Sequence, residues 1–229
     1  MNKKRTLLTL LPIIVIIGLV MFPTFGLSKT RQEYAADFLK STQDPIWGPF
    51  SEYNENSEGA TFTETAISTK SAVVGLNMLD ALDDVSTDNT KTWLIDYINW
   101  GIDYNSLENI SENVESLTLI DSDEVTEYAR IDDFKSYANQ RLEDFGGPKG
   151  YAIDVGENAT VYGSYYVVKA YYFFDIISDL EVENITNFIV NSLDIDGGFK
   201  SSPSSVGTSL TATFYALQTL SYLDSISAL

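Results

Sequence analysis

Leu210 to Asp224 reads LTATFYALQTLSYLD, and the same order of residue classes occurs in Val161 to Asp175 (VYGSYYVVKAYYFFD) and Ala66 to Asp80 (AISTKSAVVGLNMLD). The closing aspartates are 95 and 49 residues apart, about two periods and then one. Self-similarity at such a spacing marks a repeat architecture, in which each unit buries its apolar face against its neighbours. The last unit is the most regular. A helix from Asn184 through Phe188, Ile189 and Leu193 is followed by the turn Asp194-Ile195-Asp196-Gly197-Gly198-Phe199, a Ser/Pro/Gly loop and a second helix from Ser209. Apolar residues at 210, 214, 217 and 220, with Ala212, Tyr215, Ala216 and Tyr222 on another side, make the second helix apolar nearly all round. Such a helix is buried between layers, whereas the one-sided first helix suits an outer layer.

Of the 229 residues 44% are apolar, enough for one sizeable core. Cysteine and histidine are absent. That excludes disulfides, thiol nucleophiles, Ser/His/Asp triads, imidazole bases and zinc sites built on those side chains. No cofactor and no metal site is expected. Beyond residue 31, nine basic residues face 33 acidic ones, a net charge of −24. A surface of that sign repels phosphate backbones, so nucleic acid is not an expected partner.

Residues 1–31 read as a signal peptide or signal anchor, and 32–229 as the folded domain. Lys3, Lys4 and Arg5 precede the almost uninterrupted apolar run Leu7 to Phe25. Nineteen helical residues cover about 28 Å, close to the hydrocarbon thickness of a bilayer. A cleaved signal has a shorter apolar core and an A-x-A-like site. Gly26-Leu27-Ser28 matches that site poorly, which favours an uncleaved anchor. The positive-inside rule leaves Lys3 to Arg5 in the cytoplasm and the acidic domain outside.

The first unit contains Phe38-Leu39, three residues, Gln43, four residues, and Gly48-Pro49-Phe50. Phe188-Ile189, Leu193 and Gly197-Gly198-Phe199 repeat the order with Leu in place of Gln. This pattern resembles the Gln/aromatic motif of the prenyltransferase and squalene-cyclase repeat family, over roughly residues 32 to 224. The resemblance implies an all-α fold, an α/α toroid-like array. This chain offers about four helix pairs, so an open or incomplete ring is expected. Gly197 and Gly198 suit a sharp turn after a helix, Phe199 a plug between units, and a Gln43 amide can satisfy loose backbone groups at helix ends. The second unit is expected to have an outer helix at Thr92 to Trp100 and an inner one near Asn109 to Glu124, a polar stretch. The third outer helix is expected at Phe134 to Asp144.

The chemistry of the family does not carry over. Its protein prenyltransferases bind zinc through Asp, Cys and His, its cyclases protonate with an Asp-x-Asp-Asp run, and thioester members need Cys; none of these sets occurs here. Asp194-x-Asp196 reads as part of the turn, since Gly198 and Lys200 stand where a calcium loop needs oxygen ligands. Asp83-Asp84, Asp121/Asp123/Glu124 and Asp132-Asp133 read as surface acids, and no catalytic residue is assigned. The aromatic helices offer Tyr162, Tyr165, Tyr166, Phe214 and Tyr215 as a face for an apolar ligand, against the alternative of core packing. The expected function is a non-catalytic, membrane-tethered binding module that meets a protein partner, itself or an isoprenoid-like ligand. The alternatives are an enzyme of the family and a polysaccharide-active toroid, which needs two carboxylates about 5 to 9.5 Å apart across a cavity.

Overall fold

A computed structural model of the chain describes residues 29–44, 49–50, 62–103, 106–126, 130–144 and 147–229. The N-terminal apolar run and Gly48 lie outside them. Among the described residues no helix is long and apolar enough to cross a membrane. The molecule is mainly helical: α1 (Arg31–Ser41), α2 (Phe62–Met78), α3 (Thr87–Asp103), α4 (Leu107–Ile120), the short α5 (Ser122–Thr126), α6 (Ile131–Asn139), α7 (Val161–Phe173), α8 (Val182–Val190) and α9 (Leu210–Tyr222). Two three-residue strands, β1 (Leu142–Asp144) and β2 (Lys149–Tyr151), form an antiparallel hairpin with Leu142 opposite Tyr151.

The second helices of successive pairs lie side by side in chain order, α2 on α4, α4 on α7 and α7 on α9. Their partners back them, α1 against α2, α3 against α4 and α8 against α9. On α6, Phe134 meets Tyr171 and Phe174 at ring distances of 5.6 and 5.2 Å.

The terminal aspartates have a conformational reason. Asp80, Asp175 and Asp224 all adopt the left-handed region, with φ of 56°, 56° and 54°. Around each, the next N–H donates five residues back (Ala81 to Leu76, Ile176 to Tyr171, Ser225 to Leu220), while the Asp N–H donates three back. This is the Schellman helix stop, and Asp is one of the few side chains that tolerates its positive φ. A 3₁₀ turn follows every time, at Leu82–Asp84, Ile177–Asp179 and Ile226–Ala228.

A second repeated device joins the two helices of a pair. Gln43 bridges Phe50, Leu142 pairs with Tyr151, and Leu193 bridges Phe199. The aromatic member is buried in all three. Its N–H donates to a hydroxyl in the following helix: Phe50 to Thr69 (2.9 Å), Tyr151 to Ser164 (3.0 Å) and Phe199 to Thr213 (2.9 Å). Each of these hydroxyl residues stands eleven before its terminal aspartate. Gly197 has φ +84°, and a Cβ on Gly198 would lie 2.8 Å from Thr208, so both glycines are required by the turn. Asp196 accepts from the Gly198 N–H (2.9 Å) and the Thr208 hydroxyl (2.8 Å), which hold its carboxyl below the usual range.

The irregular units differ from the sequence expectation in extent. The second outer helix runs from Thr87 to Asp103 and not only from Thr92 to Trp100. The helix expected over Phe134 to Asp144 stops at Asn139, and Leu142–Asp144 turns into the hairpin. Gly146-Gly147-Pro148 supplies no helix-forming continuation, and the buried Arg141 fixes the exit. Its guanidinium donates to the carbonyls of Tyr137 and Ile153, both at 2.9 Å, and lies over the Tyr137 ring.

Candidate functional site

The polar stretch after Asn109 does form a second helix, α4, and it carries the densest charge cluster in the described residues. Glu108, Glu112 and Glu115 stand at i, i+4 and i+7, so they share one face. Neighbouring helices aim cations at that face. Lys169 of α7 is 1% exposed, and its Nζ lies 2.7 Å from Glu112 and 2.8 Å from Glu115. Lys70 of α2 pairs with the same Glu112 oxygen and stands 3.9 Å from Glu115. The Tyr166 hydroxyl donates to Glu108 (3.1 Å). A lysine this deep in an apolar helix is tolerated only when paired and hydrogen-bonded, and two carboxylates meet that requirement. Burial, and then the adjacent Lys169 ammonium, push the Lys70 amine down to about 8, with Glu115 opposing.

Beside this cluster the tyrosines of α7 and α9 pack on one another. Tyr215 is the hub, 4.4 Å from Tyr165, 5.9 Å from Tyr166, 5.4 Å from Tyr162 and 5.5 Å from Phe214 in ring distance. Tyr165 and Tyr166 are buried, Tyr162 and Tyr215 half-buried, and Phe214 exposed. Burial raises the Tyr165, Tyr166 and Tyr222 hydroxyls well above the ordinary tyrosine range. The structure thus brings Tyr162, Tyr165, Tyr166 and Tyr215 together as packing between α7 and α9, while Phe214 touches Tyr215 of its own helix and stays exposed. Two hollows among the described residues lie elsewhere. One of about 130 Å³ sits between Lys135, Asn139, Tyr151, Tyr171, Asp179 and Glu181, and a shallower one flanks α1.

The repeat-motif residues other than Gly48, which lies outside the described residues, take the following places. Gln43 links two units: its amide donates to the Ser86 carbonyl (3.0 Å) and the Thr90 hydroxyl (2.9 Å), and accepts from the Ser86 N–H (3.1 Å), at the start of α3. Phe50, Phe188 and Phe199 are buried. Phe38 is exposed, unlike its counterpart Phe188, and Leu39 packs instead against the cluster formed by Ala36, Phe50 and Leu76. Of the acids read as surface ones, Asp121 pairs with Lys91 (3.3 Å) and accepts from the Asp123 N–H, Asp133 pairs with Arg130 (3.0 Å), and Asp132 approaches Lys135 (3.8 Å).

Sequence reasoning missed Lys70, Lys169 and the three glutamates. Two signals were present: a lone lysine inside an otherwise apolar helix, and acids at i, i+4 and i+7 in the polar one. Among the described residues no group of side chains is placed to hold a metal ion. Glu112 and Glu115 share one helix and one lysine and do not face each other across a cavity. A scan against protein-family models finds no match to this sequence, and a search of curated proteins finds none either.

Proposed function

We propose that the chain is an exported, membrane-tethered, non-catalytic α/α-repeat module of the prenyltransferase and squalene-cyclase repeat type, an open arc that presents a surface to a protein partner. The observation that carries this reading is the state of the row of second helices. Its tyrosines lean on one another, and the ionised groups of Lys70, Lys169, Glu112 and Glu115 are tied to one another. A site for an isoprenoid or for acid/base work needs room beside reactive groups that are free to move protons or hold substrate. Here the same residue types join α2, α4, α7 and α9.

The family's enzymatic reading rests on one contrary observation, the half-buried Lys70 amine brought down to about 8 beside a tyrosine-rich face. Incubating the full-length protein in detergent with prenyl diphosphates and squalene, with Mg²⁺ supplied, separates the two. The scaffold reading expects neither turnover nor saturable binding, together with capture of a stoichiometric protein. Turnover that disappears in Lys70→Met would establish the enzyme instead.

A further inference from the structure

Position in the repeat shows what the exposed side of α9 is made to meet. Counted back from the terminal aspartate, residues fourteen, ten and seven before it are Val161, Tyr165 and Val168 in α7, and they are 0%, 6% and 0% exposed under α9. Counted from Asp121, the same positions in α4 are Leu107, Ser111 and Val114, at 1%, 0% and 0%. In α9 they are Leu210, Phe214 and Leu217, exposed at 87%, 40% and 39%. The same three positions that are buried in α4 and α7 are apolar and exposed in α9.

The covering residues are known too. On Tyr165 rest Tyr215 and Tyr222 of the following helix, at ring distances of 4.4 and 6.3 Å. They stand nine and two before Asp224. The residues nine and two before Asp80 are Ser71 and Met78 of α2, and both are exposed. The chain therefore displays an apolar stripe on α9 at positions that α7 buries, and on α2 an exposed side at the repeat positions by which α9 covers Tyr165.

We infer that two copies of this chain pair head to tail, α9 of one on α2 of the other, through Leu210, Phe214 and Leu217 against Ser71 and Met78. The inference rests on the scaffold reading above and names the partner as a second copy. Because the contact is heterologous, two copies satisfy both ends only by closing into a ring, and a mismatch in rotation would give an open chain.

The test uses the full 229-residue protein in detergent, and the absence of native cysteine makes it clean. Native mass spectrometry should give a two-copy mass for the wild type and a one-copy mass for Phe214→Asp/Leu217→Asp. Since these positions are exposed, the helical circular-dichroism signal should be unchanged. Mixing a Phe214→Cys chain with a Ser71→Cys chain and adding a short bifunctional maleimide should yield a cross-linked pair, absent from either chain alone. A one-copy wild type overturns the pairing, and so does a cross-link within the Phe214→Cys chain alone, which signals a two-fold α9 to α9 contact. A one-copy mass with a different stoichiometric protein bound overturns the pairing while leaving the scaffold reading intact. Two copies together with prenyl turnover do the reverse.

Discussion

Thr213 accepts the Phe199 N–H, and Ser164 and Thr69 repeat the bond in their own units. Loss of the acceptor leaves a backbone donor stranded beside the plug, so Thr213→Val should lower unfolding free energy by about 1–2 kcal/mol in urea denaturation, and Thr213→Ser should not. Lys169 is a sharper case. Lys169→Met leaves Glu112 and Glu115 with Lys70 alone and should cost about 3–5 kcal/mol, while adding Lys70→Met, Glu112→Leu and Glu115→Leu, which removes the stranded charges together, should restore most of it. Alkaline titration adds two opposed windows. The Lys70 amine, lowered to about 8 in the folded protein from 10.5, makes the unfolded chain the better proton binder over that interval, so this group adds stability as pH rises through it. Burial raises Tyr137 and Tyr171 to about 12, so between 10 and 12 the folded state holds more protons and stability falls. Urea midpoints at pH 7, 9 and 11 should therefore drop only in the last step.

At the scale of the element, the helix stops decide the repeat. An aspartate at positive φ is tolerated and a β-branched residue is not, so Asp175→Gly should hold or raise the thermal midpoint, and Asp175→Val should cost about 1–2 kcal/mol. The aspartates were legible in the sequence because all three lie at the same place in the helix pattern; their left-handed conformation was not, since nothing in composition distinguishes it from a solvated acid. The hairpin at Leu142–Tyr151 was hidden for another reason. Its residues continue the helical pattern of α6 until Gly146, and the buried Arg141 that ends the helix looks like a surface residue in sequence.

Over the whole molecule, the pairing of helices and the sequential order of the second helices follow from the repeat period and the contrast between one-sided and all-round apolar helices. What the sequence concealed was the charge cluster, because its five members come from three helices and meet only after α2, α4 and α7 pack. Glu108, Glu112 and Glu115 made α4 look degenerate when read alone. In the folded chain they are what lets two lysines and a tyrosine enter the interface. The same packing joins Tyr162, Tyr165 and Tyr166 to Tyr215, and the proposed scaffold takes that face as a joint between α7 and α9 and not as a ligand site. The most direct test of that claim is photo-labelling of the full-length protein with a benzophenone-bearing isoprenoid diphosphate, mapped by peptide mass spectrometry. The account predicts no saturable label on Tyr165, Tyr166 or Tyr215. A saturable label there, competed by the unmodified isoprenoid, would contradict it.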